Sequence, residues 1–126
     1  MRLALESQAE GSLAGEGRKL FQKLQCVACH SADAKARAPV LEDIFGKQVP
    51  LTDGRSVVAD VSYLRESIVN PDAKIVAGFQ PIMPSYAGQV DEEEMLQLLA
   101  FIKGLRAGQT PRRTEKAEPP LGQALP

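Results

Sequence analysis

One short motif, Cys26-Val27-Ala28-Cys29-His30, constrains this chain more than any other feature of its sequence. Its two cysteines are the only ones in the chain, and His30 is the only histidine, so any chemistry of thiols or imidazole has to occur here. Two cysteines separated by two residues and followed at once by histidine are the attachment signature of a c-type haem. The spacing therefore predicts two thioether bonds to a porphyrin, with the adjoining imidazole as an axial ligand of its iron.

Three other uses of this motif fit the sequence less well. A structural zinc site needs four sulfur or nitrogen ligands, whereas the cysteines and the histidine supply three. A thioredoxin-like redox motif belongs in alternating strands and helices, and the sequence lacks that alternation. A disulfide across so short a loop would leave His30 without a role, and no second cysteine pair completes a disulfide framework.

Length and charge exclude several broad classes of protein. A chain of 126 residues predicts one domain, and 15 basic against 16 acidic residues give no sign of a nucleic-acid partner. No apolar run approaches the ~20 residues that span a bilayer. The stretch 1–6 is too short and too soon charged for a signal peptide.

Since this kind of haem attachment takes place outside the bacterial cytoplasm, we expect an extracytoplasmic protein, in the periplasm or on the outer face of the cytoplasmic membrane. We expect the chain to be a mature form or an excised domain, and a missing anchor would allow membrane association.

Hydrophobic periodicity predicts an all-α fold with three main helices and an extension at each end. We assign residues 1–12 to an N-terminal extension, residues 13–106 to the haem domain and residues 107–126 to a Pro-rich polar tail or linker. Ser12 is a suitable cap for a first helix that runs to about Gln25. Gly17 falls on the apolar face of that helix, where it either lets another helix come close or is merely tolerated.

A short middle helix is predicted from Val61 to Val69, with Val61, Leu64 and Ile68 facing inward. It has to end at Asn70, because Pro71 disfavours helical geometry in the residue before it. Ahead of this helix, Asp53-Gly54 indicates a tight turn within a short ribbon around residues 49–58.

The last helix carries the clearest boundary signals. Asp91 and Glu94 form an Asp-x-x-Glu variant of the capping box, and Gly104 marks the end of the helix. Between them lies an apolar stripe at helical spacing, made of Met95, Leu98, Leu99 and Ile102.

With the only histidine used on one side of the iron, the second axial ligand is Met1, Met83, Met95, a lysine or nothing. Met95 lies on the apolar face of the last helix, which favours a role in the core, and Met1 is terminal. Met83 stands in an irregular loop between Pro81 and Pro84, where a stiff backbone would present a ligand at fixed geometry. We therefore predict His30 and Met83 as the iron ligands, a pair that raises the reduction potential and suits electron transfer.

Taken together, these residues resemble a class I cytochrome c, over about Leu13 to Leu105. Gly17 and Phe21 before the motif, with Leu98 and Phe101 in the last helix, resemble the family's crossing of N- and C-terminal helices. The segment 39–46 is similar to the family's proline segment. The resemblance implies that the Pro39 carbonyl accepts a hydrogen bond from His30, unless Pro39 is an ordinary turn former.

A narrower resemblance is to the cytochrome c domains fused to subunit II of haem–copper oxidases, and to related monohaem partners of bacterial respiratory complexes. It is carried by the stretches 60–68, 70–71, 74–76, 78–79 and 83–86. No copper-binding domain precedes the haem domain in this chain. The resemblance implies a quinol-oxidising complex as electron donor and a haem–copper oxidase as acceptor.

Further haem contacts are expected from charge and apolarity. Arg55 and Tyr63, and with less support Lys74, are candidates for holding the haem propionates, each with a solvent-facing or general core role as the alternative. The residues expected to form the apolar wall are Leu41, Phe45, Leu64, Ile68, Ile75, Phe79 and Leu99.

We therefore expect a monohaem cytochrome c that carries single electrons in a respiratory chain and has no enzymatic activity of its own. One alternative is a haem enzyme or gas sensor with a labile distal ligand. Another is a fixed cytochrome domain of a larger oxidase or respiratory complex.

Overall fold

The computed structural model describes residues 4–31 and 37–111, with side chains from Gly11 onward, and this part of the chain is mainly helical. Its helices and strands are, in chain order, α1 (Ala4–Lys23), α2 (Val27–His30), β1 (Gln48–Pro50), β2 (Ser56–Val58), α3 (Val61–Val69) and α4 (Glu92–Lys103), with a 3-10 turn at Pro71–Ala73. The predicted helical class, the middle and last helices and the small ribbon are all confirmed. No described helix is both long enough and apolar enough to cross a membrane.

Helices α1 and α4 cross at Gly17, where α1 lies directly on the backbone of α4. A Cβ atom at Gly17 would stand 2.0 Å from the carbonyl oxygen of Gln97 and 2.8 Å from the Cβ of Phe101. One turn along α1, the ring of Phe21 packs on that of Phe101 with centroids 5.2 Å apart. Gly17 is therefore needed for close approach, and the interpretation of it as merely tolerated is wrong.

The helix ends follow the local signals at α3 and α4. The α4 capping box is complete, since the Asp91 carboxylate accepts from Glu94 N at 2.8 Å and the Glu94 carboxylate accepts from Asp91 N at 3.1 Å. Helix α3 is capped by Asp60, and its last residue is Val69 with Asn70 as the C-cap, as Pro71 predicts. Met95, Leu98, Leu99 and Ile102 are all buried.

Two helix predictions are wrong. Helix α1 begins at Ala4 and not at Ser12, because residues 4–10 are rich in strong helix formers and a serine is tolerated inside a helix. Val61 is exposed and not inward-facing. It is the first residue of α3, and side chains there tilt toward the helix N-terminus, beyond the packed turns.

The ribbon supports the loop that follows α3. Strands β1 and β2 pair antiparallel, with Val49 opposite Val57, and the chain reverses at Gly54, whose φ of 89° suits glycine. Thr52 N donates to the carbonyl of Ile75 at 2.9 Å, which holds the loop after α3 against the ribbon.

Residues 107–111 are predicted to belong to a tail, but Gln109 and Thr110 are hydrogen-bonded to Arg18 and Glu42, and Pro111 is fully buried. The rest of that tail, residues 112–126, and the first three residues lie outside the described part of the chain. The domain boundaries as a whole stay a prediction.

Candidate functional site

A sharp corner between α1 and α2 presents the cysteine–histidine motif. Gln25 adopts a left-handed conformation, with φ of 65°, which ends α1 and redirects the chain. Cys26 is then the N-cap residue of α2, and its backbone carbonyl accepts a hydrogen bond from His30 N at 2.9 Å. Both thiols are free and partly buried, one helical turn apart.

The imidazole of His30 is held by the segment that follows the motif. Its Nδ1 lies 3.0 Å from the carbonyl oxygen of Pro39, the contact that the family resemblance implied. Because a carbonyl only accepts, Nδ1 carries the proton and Nε2 keeps its lone pair. Burial lowers the pKa of His30, although the bond to Pro39 acts in the opposite direction. The neutral ring is thus prepared to bind a metal through Nε2.

A largely apolar cavity opens beside His30, between α3, the loop after it and segment 39–49. Its open space, counted together with the solvent-filled mouth, is about 830 Å³. The residues predicted from sequence that line it are His30, Pro39, Leu41, Tyr63, Leu64, Ile68, Lys74, Ile75, Phe79 and Met83. Two adjoining clefts share His30 and Met83 with this cavity, and one of them is lined by both Cys26 and Cys29. The four predicted attachment and ligand residues therefore converge on one region.

The loop that carries Met83 is fixed at its far end. Ser85 Oγ donates to the carbonyl of Val69 at 2.6 Å, and Tyr86 Oη donates to the carbonyl of Leu24 at 2.7 Å. These bonds tie the loop to α3 and to the end of α1, just before the motif. Met95, in contrast, is buried in the core and does not line the cavity, whereas Met1 lies outside the described residues.

Three predicted haem contacts lie away from the cavity. Arg55 is exposed on the ribbon turn, where its Nε donates to Asp53 at 2.7 Å. Phe45 also lies outside the cavity, and the Nζ of Lys103 stands over its ring, 5.3 Å from the centroid. Leu99 is buried elsewhere along α4 and borders a different groove. The structure does not support these three as cavity residues.

Polar groups gather at one side of the cavity. Lys74 makes a short ion pair with Glu66, and the Tyr63 hydroxyl bonds to Ser67. Burial raises the pKa of Tyr63, so the phenol remains a hydrogen-bond donor at neutral pH. Tyr63 and Lys74 are thus placed where an anionic group on a bound cofactor would find donors.

Sequence reasoning missed several cavity residues, among them Ile44, Ser67, Val76 and Ile102. Ile102 belongs to the apolar stripe of α4, and Ile44 lies in the proline segment. The apolar pattern marks such residues as buried, but it does not distinguish a cavity wall from the rest of the core.

The donor set fits a covalently attached haem better than the alternatives. Burial raises the pKa of Cys26 to about 11, whereas redox-active Cys-x-x-Cys thiols have a lowered pKa. In the described residues, no group of three or more Cys, His, Asp and Glu side chains could hold a metal ion. A pair of thiols in the adjoining cleft, with a neutral imidazole and a thioether shared by cleft and cavity, matches the attachment and ligand chemistry of haem c.

Fold and site define a small helical protein with a cysteine–histidine motif beside an apolar cavity. The family model for cytochrome c matches residues 14–106, and the chain belongs to the cytochrome c family. Its fold is that of class I cytochrome c. Membership implies a covalent haem c, consistent with Cys26 and Cys29, and members of the family are usually electron carriers. None of the curated proteins matches the chain.

Proposed function

We propose that this protein carries single electrons in a respiratory chain outside the cytoplasm, from a quinol-oxidising complex to a haem–copper oxidase. The observation that carries the proposal is the shared cavity of His30 and Met83, with the His30 ring held by Pro39. The narrower resemblance in residues 60–86 to oxidase-linked cytochrome domains supports the choice of partners.

The chain's residues have distinct tasks in this proposal. Cys26 and Cys29 would hold the porphyrin, and His30 Nε2 and the Met83 sulfur would ligate its iron. The bound haem supplies a reversible one-electron change at its iron. The wall that keeps water away consists of Leu41, Leu64, Ile68, Ile75 and Phe79, and Tyr63 and Lys74 hold the propionates.

Met83 also favours electron transfer over reactions in which a substrate binds the metal. A Met83 thioether bound to the iron would fill the position that oxygen, peroxide or carbon monoxide would need. The bonds of Ser85 and Tyr86 restrain this loop, which supports a ligand that stays in place. An iron held by such a ligand pair would gain or lose one electron with little rearrangement of its surroundings, which suits an electron carrier.

Substitution of Met83 tests the ligand assignment. We expect Met83→Ala to remove the sulfur-to-iron charge-transfer band of the oxidised holoprotein and to lower its reduction potential, because a ligand that favours ferrous iron is lost. The matched control is Met95→Leu, a substitution of similar volume in the core, for which we expect both properties to be retained. Loss of the band in Met95→Leu alone would contradict the assignment.

Two further measurements test the function itself. The reduced holoprotein should be oxidised by a haem–copper oxidase and re-reduced by a quinol-oxidising complex in stopped-flow mixing. Rapid carbon monoxide binding to five-coordinate ferrous protein would instead favour the enzyme or gas-sensor alternative. Failure of both partner reactions, in a protein with an intact band, would reject the respiratory role but not the haem site.

A further inference from the structure

The segment after α4, residues 105–111, packs against the segment that carries Pro39. We call residues 105–111 the C-terminal strap and residues 39–46 the proline segment. Asp43 N donates to the carbonyl of Leu105 at 2.9 Å, and Arg106 Nε lies 3.8 Å from Asp43 Oδ1. Leu105 and Pro111 are fully buried, so both ends of the strap are packed into the domain.

Glu42 and Thr110 make the strongest link between these two segments. One carboxylate oxygen of Glu42 accepts from the hydroxyl of Thr110 at 2.6 Å and from its backbone N at 3.2 Å. The hydroxyl bond is the main reason why the pKa of Glu42 lies below its ordinary value. Hydrogen bonds to a charged acceptor are stronger than those between neutral groups.

The strap is itself held on α1. Arg18 Nη1 donates to the carbonyl of Gln109 at 3.1 Å, and the Gln109 side chain accepts from Arg106 N at 2.9 Å. The strap therefore connects α1 and the end of α4 to the proline segment.

The backbone at Asp43 is contacted directly by the strap. Its φ of 58° lies in the left-handed region, which few residues other than glycine adopt, although aspartate enters it more readily than most. Such a conformation persists when surrounding contacts hold it, and here those contacts come from Leu105 and Arg106. Leu41 and Ile44, on either side of it, line the cavity.

From these contacts we infer that Thr110, acting through Glu42, is a positioning residue for His30. The strap holds the proline segment so that the carbonyl of Pro39 stays on Nδ1 of the imidazole. That bond makes the ring a stronger donor to iron, which stabilises ferric relative to ferrous haem. The inference rests on the proposed haem function, and it gives a role to residues beyond 106, where the match to the family model ends.

The test compares three threonine variants of the holoprotein. Thr110→Val removes the hydroxyl at nearly constant volume, Thr110→Ser restores it, and Thr52→Val is the control at an exposed turn. The holoprotein is equilibrated with a reference redox couple, and the ratio of reduced to oxidised haem is measured. We expect Thr110→Val to raise this ratio by about threefold. This is less than the tenfold or more that follows direct loss of a partner of a metal ligand. Thr110→Ser and Thr52→Val should match the unsubstituted protein.

The outcomes separate the strap from the haem function. An unchanged equilibrium in Thr110→Val, in a protein with a normal sulfur-to-iron band, overturns the role of Thr110 alone. A preparation without haem from competent maturation machinery overturns the proposed function as well. Should Thr110→Val fail to fold, amide exchange in the reduced unsubstituted protein decides. Slow exchange at Asp43 N supports the strap, and exchange at the rate of an unprotected amide overturns it.

Discussion

Adding one methyl group to α1 should have opposite effects at two glycines only two residues apart. At Gly17 the new Cβ would stand 2.0 Å from the Gln97 carbonyl oxygen and 2.6 Å from its carbon. Those atoms belong to the backbone of α4, so no side-chain rotation relieves the clash. At Gly15, which is exposed on the same helix, the added Cβ would meet nothing within 4 Å.

The expected free energies follow from these distances. Replacing glycine by alanine inside a helix stabilises it by about 1 kcal/mol, so Gly15→Ala should raise the free energy of unfolding by up to that amount. Overpacking costs about 1–3 kcal/mol, and a clash with rigid backbone belongs at the upper end. Gly17→Ala should therefore be destabilised by about 2 kcal/mol net. The two variants should differ by about 3 kcal/mol.

Denaturant unfolding of both holoproteins, followed by far-UV circular dichroism and by haem absorbance, measures this difference. Using Gly15→Ala as the matched control removes the helix-propensity term, which both variants share. Equal stability of the two variants would refute the conclusion that α1 and α4 touch at Gly17. A Gly17→Ala variant more stable than the unsubstituted protein would refute it more strongly.

Two further predictions concern capping and pH. Asp91→Ala should lower the free energy of unfolding by about 1 kcal/mol, because it removes the cap of α4. Glu93→Gln, in the same turn, should lower it less. Equal losses in the two variants would contradict the role of Asp91 as the cap. Glu42 has a lowered pKa in the fold, so its stabilising contribution is complete above its ordinary value of 4.5 and is lost as the pH falls through the folded value. Thr110→Val should therefore lose less stability than the unsubstituted protein on acidification below about pH 4.5, measured by unfolding at a series of pH values, and identical slopes would contradict this.

The sequence predicted well wherever a few neighbouring residues decide the outcome. The ends of α3 and α4 depend on Asp60, Pro71 and the Asp91–Glu94 pair, and each acts within about four residues. The Cys26–His30 motif is equally local. Gly17 was harder, because its two interpretations differ only in what lies across from the helix, and that contact comes from Gln97.

Errors arose where a local signal competed with its surroundings. Ser12 has the chemistry of a cap, yet the residues before it favour helix strongly enough to carry α1 back to Ala4. For Arg55 the sequence leaves a propionate contact and a solvent-facing role open, and the structure pairs it with Asp53, whose exposed carboxylate needs no desolvation. The prediction that Leu99 is buried is confirmed, but the sequence does not show which side of α4 faces the cavity.

The bond between Glu42 and Thr110 illustrates a different limit. These residues stand 68 positions apart, and neither belongs to a periodic pattern or a motif that would pair them. A threonine before a proline in a polar stretch looks like the start of a linker, and the family match ends before it. What makes Thr110 matter is the left-handed turn at Asp43, which the strap holds beside the proline that orients His30. The orientation that we propose for His30 thus depends on a contact that only the folded chain brings together.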